Sequence, residues 1–118
     1  MSEGRLRQTM LLDFYGELLT DKQRLCLDLH YNEDLSLAEI AEQCGISRQG
    51  VWDNIRRAES ALADIEEKTG LVRRFEENRS ALEKIREQIE AVAAMSRGEA
   101  REKAAKAAEE ISAVIARG

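Results

Sequence analysis

Apolar residues along this chain recur at intervals of three and four, the spacing of helices with one buried face. The densest pattern is Ser36–Arg57, SLAEIAEQCGISRQGVWDNIRR. Ser36 with Glu39 forms an S-x-x-E capping box, and Leu37, Ile40 and Ala41 share one face. Gly45 is the residue that ends this helix in a left-handed conformation. Ile46 plugs the turn, Ser47 caps a second helix, and Val51 and Ile55 face inward. Two short helices around such a turn predict a helix-turn-helix. Its second helix continues through Leu62 and Ile65 to Lys68, where Gly70 stops it.

The flanking patterns are also helical. Residues 1–5 read as a loose, flexible tail. A helix over 6–19 carries Met10, Leu11, Phe14 and Leu18 on its apolar side, with Phe14 in the core and Tyr15 able to join it with its hydroxyl at the surface. Thr20 and Gln23 form a second capping box, opening a helix that runs to Tyr31 with Leu25, Cys26 and Leu29 on one face and Leu27 towards another. Asn32–Asp34 makes a turn. After Gly70 a helix over 71–95 places Phe75, Asn78, Leu82, Ile85, Ile89, Val92 and Ser96 at alternating spacings of 3 and 4, a heptad seam. Ser96-Arg97-Gly98 breaks it. A last helix over 99–116 sets Ala104, Ala107, Ile111 and Val114 on a narrow stripe. The expectation is an all-α protein: a tail at 1–5, a helix-turn-helix domain at 6–69, and an antiparallel helical hairpin at 70–118. So narrow a stripe on the hairpin suggests pairing with a second copy of the chain, a homodimer.

Composition sharpens this. The chain has 118 residues, 35% of them charged, and no proline. No apolar run of 18 residues exists, so no membrane partner is expected. MSEGRLRQTM lacks the apolar core of a signal peptide, which points to the cytoplasm. Cys26 and Cys44 read as two small reduced side chains on separate helices. With the single His30 they make no zinc ligand set, so neither metal nor cofactor is expected. His30, near a helix C-terminus, reads as a charge placed for the helix dipole. No Ser/His/Asp or Cys/His set and no phosphate-cradling glycine loop is present, so the chain reads as a non-enzyme. Acidic doublets such as Glu66-Glu67 read as solubilising charge.

Charge is uneven. Residues 1–69 hold 8 Lys+Arg against 14 Asp+Glu, a balance of −6, and residues 70–118 hold 10 against 9, a balance of +1. The acidic sign opposes phosphate binding by the first domain as a whole. Locally it is different. Arg48, Gln49, Trp52, Asp53 and Arg56 fall on the outward stripe of the second motif helix, with Arg57 on its flank. Arg and Gln read base edges by paired hydrogen bonds, Arg56 and Arg57 suit phosphates, and Trp52 suits an unpaired base. Arg48, Gln49, Trp52, Arg56 and Arg57 are therefore the candidate nucleic-acid-binding set. The competing reading is a solvated face on which the arginines pair with Asp53, Glu59 and other local acids.

Two resemblances follow. Leu19–Leu62 is similar to the region 4 type of sigma-factor helix-turn-helix. More closely, the chain resembles the YlxM-like family of small bacterial proteins over about residues 10–90, through LDFY (12–15), LLTDKQ (18–23), DLSLAEIAE (34–42) and SRQGVWDNIRR (47–57). Two positions depart from that pattern: Trp52 where tyrosine is usual, and Gly50 where alanine is commoner. The resemblance implies a regulatory or accessory protein of the signal recognition particle pathway, with the particle's RNA or GTPase as partner. The same face would serve a DNA-binding transcription regulator on duplex DNA. A protein-binding adaptor is the third class.

Overall fold

In the computed structural model, which describes residues 3–118, every regular element is helical. The elements are α1 (Glu3–Tyr15), a 3₁₀ turn (Gly16–Leu18), α2 (Asp21–Tyr31), α3 (Leu37–Cys44), α4 (Arg48–Thr69), α5 (Leu71–Met95) and α6 (Gly98–Arg117). They divide into two compact units, one reaching to Val72 and the other Arg73–Gly118.

The first unit is built on its caps. Thr20 and Ser36 each accept a hydrogen bond from the backbone N–H three residues on, and the side chains of Gln23 and Glu39 bond back. The bond to Ser36 holds the Glu39 carboxyl below its ordinary range. Gly45 is left-handed at φ 68°, and the N–H groups of Gly45 and Ile46 both bond to the carbonyl of Ala41. A side chain at that φ would crowd its own backbone, which is why glycine stands there. Ser47 then accepts from the Gly50 N–H at 3.0 Å and starts α4.

These devices aim Leu27, Ile40, Val51, Ala58, Leu62 and Leu11 into one core, where none is measurably open to solvent beyond 2%. Each full-sized aliphatic side chain so buried contributes about 1.5–3 kcal/mol. Val72, the second residue of α5, completes that core.

Several expectations are corrected. The tail expected at 1–5 is helical from Glu3, residues 1 and 2 lying outside the described residues. Its Arg5 guanidinium donates to the carbonyls of His30 (2.8 Å) and Tyr31 (3.1 Å) and pairs with Asp34 (2.7 Å). The guanidinium thus satisfies orphan carbonyls at the end of α2. His30 lies in the last turn of α2, where it was expected, and its Nδ1 is 3.2 Å from the Leu35 carbonyl. Phe14 points outward at 40% exposure and Leu18 at 69%, while Leu12 and Tyr15 are buried. The reason is polar. Tyr15 donates its hydroxyl to Glu66 at 2.6 Å, a bond that Phe14 could not make, and α1 turns to place it. Leu25 is likewise exposed and Leu27 buried, because α2 packs most extensively along α4.

Glu66 is the second polar surprise. It is 7% exposed, not a solubilising charge. Its Oε1 accepts from the Tyr15 hydroxyl and, at 3.0 Å, from the Val72 N–H. A buried carboxylate persists only where donors replace water.

The second unit is a helical hairpin with little interior. Within it only Ala108 is buried, while Phe75, Leu82, Ile89 and Ala93 of α5, and Ser96 just after it, are half-buried. The expected seam is split: Phe75, Leu82 and Ile89 are covered, but Asn78, Ile85 and Val92 are exposed. Val114 of α6 is exposed too, its place taken by Ala108 and Ile115. Arg73–Glu77, Arg79–Glu83 and Arg86–Glu90 line α5 as i,i+4 pairs, exposed or half-buried, each contributing a few tenths of a kcal/mol.

Candidate nucleic-acid interface

The inward stripe of α4 is Val51, Ile55, Ala58 and Leu62. Burying these four fixes the helix about its axis, and the residues between them must face solvent. Arg48, Gln49, Trp52, Asp53, Arg56 and Arg57 are all exposed. Trp52 is 43% exposed and carries the Arg56 guanidinium over its ring, 4.9 Å from the centroid. A cation over an indole at an exposed site is stabilised by about 0.5–1 kcal/mol. The pair therefore presents a flat, positively charged plate.

Asp53 is tied to its own helix rather than to the arginines. It accepts from Gln49 Nε2 at 3.2 Å, one turn back along the helix. The solvated-face alternative required Asp53 and Glu59 to neutralise the arginines. Glu59 instead accepts the Tyr31 hydroxyl at 3.0 Å. Burial first, and then the bond to Glu59, pushes the Tyr31 phenol up to about 12. Among the described residues Arg48, Arg56 and Arg57 form no ion pair within 4 Å.

Arg48, Gln49 and Trp52 border one shallow depression of about 370 Å³, together with Leu37 from the start of α3. Leu37 is a contributor that its sequence position marked only as core. The available signal was its place directly after the Ser36 cap, where a residue faces the opening turn of the next helix. Arg57 does not join this depression. It borders a separate groove with Ser60, Ala61, Asp64 and Glu67. The face thus divides into a tight cluster of Arg48, Gln49, Trp52 and Arg56, and an outlying Arg57 one-quarter turn or more away on the helix.

Elsewhere the chemistry is plain. Cys26 and Cys44 are both free thiols, and burial first, then Cys44, pushes the Cys26 thiol up. Among the described residues no group of three His, Cys, Asp or Glu side chains could hold a metal ion. No described helix is long and apolar enough to cross a membrane.

A capped short helix, a left-handed glycine, and a second helix with its opening turns turned outward define a helix-turn-helix protein. The family model for YlxM/p13-like helix-turn-helix proteins, UPF0122, matches residues 2–101. The chain belongs to that family, and its reading as a non-enzyme goes with membership. It is 51% identical over 92 residues to the UPF0122 protein of Thermoanaerobacter sp. (strain X514), covering 78% of this chain and 79% of that one. The Geobacillus kaustophilus UPF0122 protein is 49% identical over 89 residues, 75% of this chain and 81% of its own. That of Halalkalibacterium halodurans is 44% identical over 90 residues, 76% and 83% of the two.

Proposed function

We propose that this chain is a cytoplasmic regulatory or accessory protein of the signal recognition particle pathway that binds nucleic acid, the particle's RNA foremost, through the opening turns of α4. The observation that carries the nucleic-acid reading is the set of arginines without acidic partners around an exposed tryptophan. An indole under a guanidinium suits stacking on an unpaired base, with the guanidinium available to phosphate. Membership of the YlxM-like family supports the pathway. The binding set is Arg48, Gln49, Trp52 and Arg56, with Arg57 reaching backbone phosphate at the margin. The particle's GTPase is the alternative occupant of the same face. A duplex-DNA regulator is favoured by one feature, the placement of Arg48 and Gln49 where such motifs read base edges. The balance of −6 over residues 1–69 opposes it.

Trp52 is the only tryptophan, so its emission reports on this face directly. Titration with particle RNA at physiological salt should give a saturable change, lost in the Arg48→Ala/Arg56→Ala variant. A response to the GTPase alone would move the ligand from RNA to protein. A response to random duplex alone, abolished by salt, would move it to DNA. No response to any of the three overturns the assignment of this face.

A further inference from the structure

Two neighbours of Trp52 differ in the atoms they can offer a ligand. Asp53 accepts from Gln49 Nε2 at 3.2 Å. An ionised carboxylate can only accept, so this bond turns the nitrogen end of the Gln49 amide towards Asp53 and leaves Oε1 as the end open to a ligand. Arg48 stands one residue earlier, exposed and without an ion pair among the described residues. A guanidinium carries N–H donors in a planar fork and no acceptor. Arg48 therefore presents a pair of donors, and Gln49 beside it presents an acceptor.

The indole stands one turn after Arg48 and one turn before Arg56. The Arg56 guanidinium lies over the ring, 4.9 Å from its centroid, and covers one of its faces. Arg56 does not border the depression of about 370 Å³ formed by Leu37, Arg48, Gln49 and Trp52. The depression therefore lies towards Arg48, away from the face that Arg56 covers. Half-buried Leu37 and the indole give it apolar walls, and the donor fork and the amide oxygen give it polar ones. A single indole offers a single stacking surface here, so the depression suits one flat ring at a time.

We infer that this depression holds one unpaired guanine of the bound RNA strand, stacked on Trp52, with Arg48 donating to its O6 and N7 and Gln49 Oε1 accepting from its N1–H. The inference rests on the nucleic-acid reading of α4 and adds the base to it. The base follows from the atoms on offer. Two adjacent acceptors followed by a donor are what the fork and the amide oxygen require. Guanine supplies them as N7, O6 and N1–H, and the first two are the pair an arginine most often grips. Cytosine supplies them as O2, N3 and its amino group, but its single ring covers less of the indole. Adenine and uracil alternate donors with acceptors, so either leaves the fork half used. A base within a duplex is excluded, because both its faces are stacked on neighbours and its N1–H is already donated. Asp53 is then a positioning residue: it touches no base and acts by turning Gln49.

The probes are RNA strands of about five nucleotides, uridine throughout except for a central guanosine, cytidine, adenosine or uridine. Each is titrated into the full chain at low salt and read by Trp52 emission. The guanosine strand should bind about tenfold more tightly than the adenosine and uridine strands, with cytidine between. Replacing the guanosine by 7-deazaguanosine, which lacks the N7 acceptor, should remove most of that advantage. Arg48→Lys keeps the charge and loses the fork, so the ratio of guanosine to uridine affinities should fall towards unity, whatever overall affinity the variant keeps. Asp53→Asn should bind every strand more tightly, having lost a negative charge, yet discriminate less, because an asparagine amide can donate as well as accept and no longer fixes Gln49. Equal affinities for the four strands overturn the guanine assignment and leave the α4 interface standing. So does a guanosine preference that survives both 7-deazaguanosine and Arg48→Lys, or a response to the particle RNA with none to the short strands. Silence with the particle RNA as well takes the interface reading down with it.

Discussion

At the scale of single residues, the polar groups decide what the apolar pattern leaves open. Tyr15 and Glu66 are 51 positions apart and meet at 2.6 Å. Tyr15→Phe should lower the unfolding free energy by about 1.5–3 kcal/mol, the range for a hydrogen bond to a charged group, measured by urea denaturation. Tyr31 gives a pH signature. Its phenol is raised to about 12, so the stability it contributes is fully present below pH 10 and is lost as pH rises through 12. Ultraviolet titration should show a late phenol step near pH 12, and its amplitude should fall in Tyr31→Phe. In Glu59→Gln that step should move towards lower pH, since both Glu59 contributions raise it. Neither contact was legible beforehand. Apolar spacing placed Phe14 in the core and allowed Tyr15 there only with its hydroxyl at the surface, because the partner that draws that hydroxyl inward comes from a distant helix.

At the scale of elements, the caps were the most legible feature, because each signal and its partner lie within four residues. Thr20 with Gln23, Ser36 with Glu39, Gly45 and Ser47 all serve as the sequence suggested. Gly45→Ala should cost about 1–2 kcal/mol, the penalty for a Cβ in the left-handed region. Ser47→Ala should cost about 1 kcal/mol through the lost cap of α4. Thermal melts of the two variants would check both. The outward set on α4 was legible too, since the inward positions Val51 and Ile55 leave no other side for Arg48 or Trp52. The stacking of Arg56 on Trp52 and the engagement of Asp53 by Gln49 were not. Side chains one turn apart choose among several neighbours, and spacing does not rank those choices. Arg5 escaped for the opposite reason: nothing in a short polar terminus announces that the end of α2 will be waiting for it.

At the scale of the molecule, the hairpin follows from two helical runs and a glycine break. Which half of the seam it would cover does not follow, because a heptad pattern describes a pairing face without naming the partner. If the uncovered half receives a second chain, protection of amides in 73–118 should depend on protein concentration. Hydrogen exchange at a few micromolar and at about 200 µM should then differ in α5 and α6 and agree over α2 to α4.

The carboxylate of Glu66 also says where this chain can be divided. Glycine 70 looks like a seam between two portable parts, yet the amide that Glu66 holds belongs to Val72, whose side chain sits in the core. A recombination joint or a protease cut placed at the glycine would leave a buried negative charge short of a donor and a hole where valine was. A joint a few residues later would leave both intact. Lineages that exchange or shorten the hairpin should therefore carry their breakpoints beyond Val72, so the first turn of α5 is inherited with the helix-turn-helix.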